Sequence, residues 1–239
     1  MNNIILFDDE KWKDLLPVCM TRPIAECRIG ILKISEKWSG YLHGDVSYIT
    51  KDYLAEKYPI NISHDNLVIN ARWLPNDRLI SLIKKLKQND ALLHEDVLVA
   101  ARMDDKQFEK LIANEEIDEL KGLDISKLDD GFSVLKRPHD IFMLNGAEIQ
   151  NDFRLLKLSK TEDISPDVKI TGSHPVYIDE TAQLEPCFIN ANEGPVFIGK
   201  HVKVMQGAML RGPLSLSEYC VVKMGAKIYK DCSFGPHCK

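Results

Sequence analysis

Four basic residues of the sequence have side chains that could bind a phosphate group. Arg22 and Arg28 each lie in an expected loop beside proline or glycine, and Lys37 and Arg72 follow further along the chain. A guanidinium group presents a planar fork of N–H donors that matches phosphate oxygens. We therefore predict Arg22 and Arg28 as catalytic residues, and Lys37, Asn70 and Arg72 as substrate-binding residues. The alternative is that they form ordinary salt bridges, and the pattern identifies no set of metal ligands.

An acidic run, Asp8-Asp9-Glu10, directly follows the apolar segment Ile4–Phe7. A second apolar segment, Leu67–Asn70, precedes Arg72. If the two segments are neighbouring parallel strands, their carboxyl ends would present Arg22 and Arg72 at one crevice. Open α/β sheets bind ligands at such crevices. The sequence therefore predicts a phosphate site beside an acidic run, or an edge where these charges neutralise each other.

The elements that must position these side chains alternate between strands and helices. Strands are predicted at Ile4–Phe7, Leu67–Asn70 and Asp96–Ala101, and helices within 30–38, Asn76–Leu86, Asp104–Asn114, Glu115–Asp130 and His139–Asp152. Apolar residues recur at helical spacing in Asn76–Leu86, which gives that helix one buried face. Such alternation is typical of a mostly parallel α/β layer. We predict a Rossmann-like α/β domain over residues 1–160.

The last third of the chain follows a different rule, with a period of six residues. Two series, the first of small or aliphatic residues and the second of apolar residues, run through it with an offset of two positions: Val196, Val202, Ala208, Leu214, Cys220, Ala226, Cys232 and Cys238, and Ile198, Val204, Leu210, Leu216, Val222, Ile228 and Phe234. Hexapeptide periodicity is the signature of a parallel β-helix. We predict a single-stranded left-handed parallel β-helix over residues 166–239, with Cys220, Cys232 and Cys238 in its interior as inert small side chains.

Two details refine this prediction. Upstream, Ile170, Val176 and Ala182 keep the six-residue step, and the frame slips by two residues at Asn192–Pro195. The chain stops on a repeat position without a capping helix, so we expect a domain truncated at its C-terminus, since repeat domains need caps.

Composition excludes some classes of protein. The 239 residues carry a net charge of −5, with 44% hydrophobic and 28% charged residues, as in an ordinary globular protein. An acidic balance argues against binding of nucleic acid or of a membrane surface. The N-terminus lacks the basic region of a signal peptide, and a cytoplasmic location is expected.

Local motifs resemble the sugar-1-phosphate nucleotidyltransferases. The stretch Leu16–Gly30 contains Leu-Pro, Thr-Arg-Pro and Arg-Ile-Gly, and Ile-Leu and Glu-Lys-Trp follow it. With Pro138–Phe142, Pro-His-Asp-Ile-Phe, this pattern resembles a subgroup of that family. The combination with a β-helix is similar to the bifunctional N-acetylglucosamine-1-phosphate uridylyltransferase type. The resemblance implies nucleotidyl transfer from a nucleoside triphosphate to a sugar 1-phosphate, Mg²⁺ as cofactor and a homotrimer formed through the β-helix.

The sequence also departs from that family. Asp8-Asp9-Glu10 stands where the family has a glycine-rich phosphate loop, and Ala71-Arg72 stands where it has Gly-Asp, whose carboxylate holds Mg²⁺. Two other functions therefore stay open. One is a degenerate domain that binds a sugar nucleotide without catalysis. The other is an acyltransferase acting through the β-helix domain, with a base among His174, His201 and His237.

Overall fold

A computed structural model describes residues 2–106, 108, 124–129 and 131–239. The chain forms two compact units. The first consists of Met1–Cys27 with Ile34–Pro138, and the second of Arg28–Lys33 with His139–Lys239. The short segment Arg28–Lys33 thus belongs to the second unit although the first unit surrounds it in sequence.

The first unit contains a six-stranded sheet. Its strands are β1 (Asn2–Phe7), β2 (Gly44–Ile49), β3 (Asn66–Asn70), β4 (Asp90–His94), β5 (Val97–Met103) and β6 (Asp124–Lys127), in the order β2-β1-β3-β5-β4-β6. The helices are α1 (Ile34–Leu42), α2 (Asp52–Ala55) and α3 (Asp77–Ile83), with 3-10 turns at Glu10–Leu15 and Ile24–Glu26. β1 pairs in parallel with both β2 and β3, while β5 runs antiparallel to β3 and β4.

The apolar run in β1 explains its central position. Ile4, Ile5, Leu6 and Phe7 are all buried, so both faces of the strand are covered. A strand that is apolar on both faces is stable only between other strands and under packed side chains, because each buried aliphatic group contributes about 1.5–3 kcal/mol. The predicted neighbourhood of β1 and β3 is confirmed by their register, in which Phe7 lies beside Asn70.

Most predicted elements of this unit are present. The sheet is mostly parallel, as predicted, because β5 alone among the six described strands runs in the opposite direction. β5 forms a hairpin with β4 that is closed at Glu95 and Asp96, which both have positive φ. The prediction of a helix was wrong at Asp124–Lys127, which is strand β6. Most of the predicted helix Asp104–Asn114 lies outside the described residues, as does most of Glu115–Asp130.

The second unit consists of helix α4 (Asp140–Leu155) and eleven short strands. These are β7 (Lys169–Thr171), β8 (Val176–Ile178), β9 (Gln183–Leu184), β10 (Phe188–Asn190), β11 (Val196–Ile198), β12 (Lys203–Val204), β13 (Met209–Arg211), β14 (Leu214–Leu216), β15 (Val221–Val222), β16 (Lys227–Ile228) and β17 (Cys232–Phe234). They form three parallel sheets, β16-β13-β10-β7, β17-β14-β11-β8 and β15-β12-β9. Consecutive strands enter the three sheets in turn, an arrangement that fits a parallel β-helix. Its left-handed sense stays a prediction.

Register in these sheets explains the sequence period. Val196, Leu214 and Cys232 are register partners, eighteen residues apart along the chain, so three six-residue steps complete one coil. The earlier coils are less regular than predicted. Ile170 lies beside Ile189, and Ile189 beside Leu210, so Ile170 belongs to the second apolar series and does not share the position of Val176.

The interior of the coil holds the two predicted apolar series, but not to the end of the chain. Cys220 is buried in this core beside Leu214 and Val222, as predicted. Cys232 is only partly buried, and Cys238 is exposed. The prediction of an interior position was therefore wrong for Cys238, because no further strand is stacked on the last coil among the described residues.

Helix α4 packs against the coil within the second unit. Ile149 and Phe153 form a small core with Ile31, against which Tyr177 and Phe197 pack. The Asp152 carboxylate accepts hydrogen bonds from the amides of Ile31 (2.8 Å) and Leu32 (3.1 Å). This accounts for the membership of Arg28–Lys33 in the second unit. Among all helices in the described ranges, none has the length and apolar character needed to cross a membrane.

Candidate functional site

The carboxyl ends of three parallel strands meet at one edge of the sheet in the first unit. Asp8 and Asp9 follow β1, Thr50 follows β2, and Asn70 is the last residue of β3, two residues before Arg72. Because β1 lies between β2 and β3, these five side chains converge, and we call them the strand-end cluster. In α/β sheets this edge is the usual position of a ligand.

Asp9 is the centre of one half of the strand-end cluster. Its Oδ2 atom accepts hydrogen bonds from Asn70 Nδ2 (2.9 Å) and Arg72 Nε (2.8 Å) and forms a salt bridge with the Arg72 Nη2 atom. Arg72 is only 5% exposed. Its amide donates to Asn70 Oδ1 (3.0 Å), which fixes the turn after β3. A buried guanidinium must be paired, and Asp9 satisfies that requirement.

Asp8 forms the other half of the strand-end cluster. Its Oδ1 atom accepts the amide of Ile24 (3.0 Å), and its Oδ2 atom accepts the hydroxyl of Thr50 (2.6 Å). Burial raises the pKa of the Asp8 carboxyl from 3.8 to about 6, although both hydrogen bonds act in the opposite direction. A carboxyl group with such a pKa can hold or release a proton near neutral pH, which is a property of functional sites.

The predicted site residues lie in different environments. Asn70 and Arg72 are brought together by Asp9, as described above. Arg22 is exposed, two residues before the Ile24 amide that binds Asp8. Lys37 is buried in α1, only 1% exposed. Arg28 belongs to the second unit, where its guanidinium donates to the carbonyl oxygen of Ile31.

A second polar network in the first unit was not predicted. Glu26 Oε1 accepts hydrogen bonds from Tyr48 Oη (2.6 Å) and Ser35 Oγ (2.8 Å). Burial and the hydrogen bond to Glu26 raise the pKa of the Tyr48 hydroxyl. Glu26 follows Ile24 in the turn that Asp8 holds, so this network fixes the same segment from its other end. The contact of Tyr48 with Glu26 could be predicted from the sequence only if β2 were recognised as a strand.

The two aspartates of the strand-end cluster are already bound by protein donors. Mg²⁺ is bound by carboxylates with free oxygen atoms, usually one or two together with substrate phosphates. Both oxygens of Asp8 accept hydrogen bonds, and Asp9 is engaged by the cation of Arg72. In the described part of the chain, no three His, Cys, Asp or Glu side chains lie close enough together to hold a metal. No catalytic step is therefore assigned to a metal ion.

Comparison with known protein families gives a match to this chain. A family model described as sugar nucleotidyl transferase matches residues 4–161, which is more than half of the chain and includes the strand-end cluster. A search of curated proteins finds no significant match. The matched region contains the sheet edge at which an α/β transferase would bind its substrates. The chain belongs to the sugar nucleotidyl transferase family.

Proposed function

We propose that the protein transfers a nucleotidyl group from a nucleoside triphosphate to a sugar 1-phosphate, which yields a nucleotide sugar and pyrophosphate. The family supports nucleotidyl transfer in general. In the proposed step, a phosphate oxygen of the sugar 1-phosphate attacks the α-phosphorus in line, and pyrophosphate leaves. Little covalent chemistry is required of the protein, whose task is to orient the two phosphates and to offset their charge.

The observation that carries this proposal is the hydrogen bond between Asp8 and the amide of Ile24. It fixes the segment Arg22–Ile24 at the carboxyl end of β1. Arg22 is exposed there, so its guanidinium can approach a phosphate group in solution. Charge-assisted hydrogen bonds from arginine to phosphate are short and strong. We assign Arg22 the role of neutralising charge on the triphosphate.

The other predicted residues have different roles in this proposal. Arg72 and Asn70 hold Asp9 in place and so shape the edge, since the guanidinium is already ion-paired. Lys37 is buried in α1, and its role in substrate binding stays a prediction from the sequence. Arg28 stays a prediction from the sequence.

Release of pyrophosphate tests the proposal. The full chain is assayed with a panel of sugar 1-phosphates and nucleoside triphosphates in the presence of Mg²⁺. Arg22→Ala should lower kcat about 100-fold, the usual cost of losing one charge-stabilising donor, and Arg22→Lys should restore part of the rate. Arg102→Ala is the matched control, because Arg102 lies beside Leu67 at the other end of β3 and pairs with Asp65. Absence of turnover with every pair, or equal rates for Arg22→Ala and Arg102→Ala, would refute the proposal.

A second candidate function is binding of a sugar nucleotide without transfer. The observation that favours it is Arg72, which stands where the resemblance implies a carboxylate for Mg²⁺ and which is ion-paired with Asp9. This candidate predicts that a nucleotide sugar raises the Tm of the protein equally with Mg²⁺ and with EDTA. A strict Mg²⁺ requirement for stabilisation would contradict it.

The predicted cofactor and assembly are also proposals. The dependence of pyrophosphate release on Mg²⁺ tests whether Mg²⁺ is the cofactor. For the homotrimer, the outer face of sheet β16-β13-β10-β7 supports association, since Phe188 and Met209 are 54% and 47% exposed there. Light scattering measures the oligomeric state of the wild type and of Phe188→Glu. A monomeric wild type would refute the homotrimer. Binding of acetyl-CoA tests the acyltransferase alternative.

A further inference from the structure

Two cysteine thiols face each other inside the first unit. The Sγ atoms of Cys19 and Cys27 lie 3.7 Å apart, and the residues are only 2% and 3% exposed. They flank the segment that carries Arg22, which the Asp8 hydrogen bond to Ile24 holds at the strand-end cluster. No nucleotidyl-transfer step uses either thiol.

The two thiols are not equivalent. The hydrogen bond between the two thiols lowers the pKa of the Cys27 thiol, and the positive charge of Arg22 acts in the same direction. The same hydrogen bond, together with burial, raises the pKa of the Cys19 thiol. The directions of the two shifts favour Cys27 as the thiolate of the pair. A nucleophilic thiolate beside a second thiol is the arrangement of a redox-sensitive pair.

A small oxidant has a short route to this pair. Val18 and Met20, the neighbours of Cys19 in the chain, are 36% and 56% exposed. Cys19 thus lies in a segment whose neighbouring side chains reach the surface. Local opening of such a segment requires much less free energy than global unfolding.

We propose that Cys19 and Cys27 form a site of reversible oxidation, at which a peroxide converts the two thiols into an intramolecular disulfide. The Cys27 thiolate attacks one oxygen of hydrogen peroxide, the O–O bond breaks, and Cys27 becomes a sulfenic acid, while the other oxygen leaves as hydroxide and takes up the proton that Cys27 lost to become water. The Cys19 sulfur then attacks the Cys27 sulfur, the S–O bond breaks, and the Cys19 proton joins the leaving hydroxide as a second water. The two sulfurs lose two electrons in total, and the peroxide gains them. A dithiol reductant reverses the reaction.

The disulfide would close a ring that contains Arg22. Residues 19 to 27 would then be covalently joined at both ends, which restricts the conformations open to the segment between them. Oxidation would thereby act on the exposed arginine without altering it chemically. The site itself does not depend on the proposed function, because formation of the disulfide is measured on the thiols alone.

The test uses the full chain with Cys238→Ser, which removes the exposed thiol able to link two molecules. The protein is exposed to hydrogen peroxide, unfolded, alkylated and digested, and its peptides are analysed by mass spectrometry. The expected product joins the Cys19 and Cys27 peptides, has lost two hydrogens and disappears with dithiothreitol. Cys187 is the control, since it is buried in the coil and burial raises its pKa. The Cys19–Cys27 link should form about tenfold faster than Cys187 is oxidised.

Two further variants identify the order of the steps. In Cys19→Ala the resolving thiol is absent, so Cys27 should accumulate as a sulfenic acid that dimedone captures. In Cys27→Ala, Cys19 should be captured about tenfold less. The proposal is overturned if folded wild-type protein yields no linked peptide while both thiols stay alkylatable, or if Cys19, Cys27 and Cys187 are oxidised at the same rate. Both of these outcomes are read on the wild-type pair and do not require that either variant folds.

Discussion

Replacement of Asp8 by asparagine should stabilise the first unit at neutral pH. The carboxyl is largely enclosed at the strand-end cluster, and burial raises its pKa from 3.8 to about 6. Asparagine has the same shape and no charge. Its carbonyl can accept the Ile24 amide as Oδ1 does now, and its amide can donate to the Thr50 hydroxyl, which reverses its role. The substitution therefore removes the buried charge and keeps both contacts.

The pH dependence follows from the direction of the pKa shift. Folded Asp8 binds its proton more tightly than unfolded Asp8, so its contribution to stability is present below about pH 4 and is lost as the pH rises through about 6. A difference of about two pH units corresponds to about 3 kcal/mol. Asp8→Asn should thus raise the free energy of unfolding by about 2–3 kcal/mol at pH 8 and should change it little at pH 4.

Urea unfolding followed by tryptophan fluorescence measures this effect. All three tryptophans, Trp12, Trp38 and Trp73, lie in the first unit, so the signal reports that unit. Asp14→Asn, an exposed carboxylate in the neighbouring 3-10 turn, controls for the loss of one negative charge. The reasoning would be refuted if Asp8→Asn were no more stable than the wild type at pH 8, or if the difference between them did not change from pH 4 to pH 8.

Further predictions concern a buried ion pair and two glycines. Arg72→Met should lower the free energy of unfolding of the first unit by about 2–3 kcal/mol, because it leaves the Asp9 carboxylate without its buried cation. Addition of Asp9→Asn should recover part of the loss in the same urea assay, and strictly additive losses would contradict the coupling. In the second unit, Gly30→Ala should cost more than about 3 kcal/mol, because φ is +82° and an added Cβ would lie 2.8 Å from the backbone of Glu148. Gly225→Ala has a similar φ of +70° but no atom within 4 Å of the added Cβ, so it should cost only about 1 kcal/mol. Thermal unfolding followed by circular dichroism measures both glycine variants, and equal losses would contradict the packing argument.

Strong local patterns made much of the fold predictable. The run Ile4–Phe7 has no polar residue, so only a central strand can bury it, and the structure places it there. The apolar residues from Val196 to Val222 recur at six-residue steps and are buried in the interior of the coil, which is why its strands were recognised. Strand β2 (Gly44–Ile49) was missed because it lies at the edge of the sheet, where polar residues are tolerated and no apolar run develops.

The candidate site was predictable only in part, because it depends on pairings between distant segments. The sequence indicated that Arg72 and Asp9 would lie near the same edge, but not that Asp9 would neutralise Arg72 rather than Arg22. Thr50 had no signal at all, since its position follows from the strand β2 that was missed. Sequence gives the residue types at the ends of strands, whereas the choice among several nearby partners of opposite charge is made by packing.

The eighteen-residue register of the coil restricts how the length of this region can vary. An insertion of eighteen residues would add one strand to each of the three sheets and leave every later residue on its own face. An insertion of six would transfer all later strands to a neighbouring sheet. Ser233, which contacts Asn145 of α4 at 3.1 Å, would then face away from the helix. Relatives of this protein should therefore differ in length between Gly199 and Leu214 by whole coils of eighteen residues. Shorter insertions and deletions should be confined to the corners between strands.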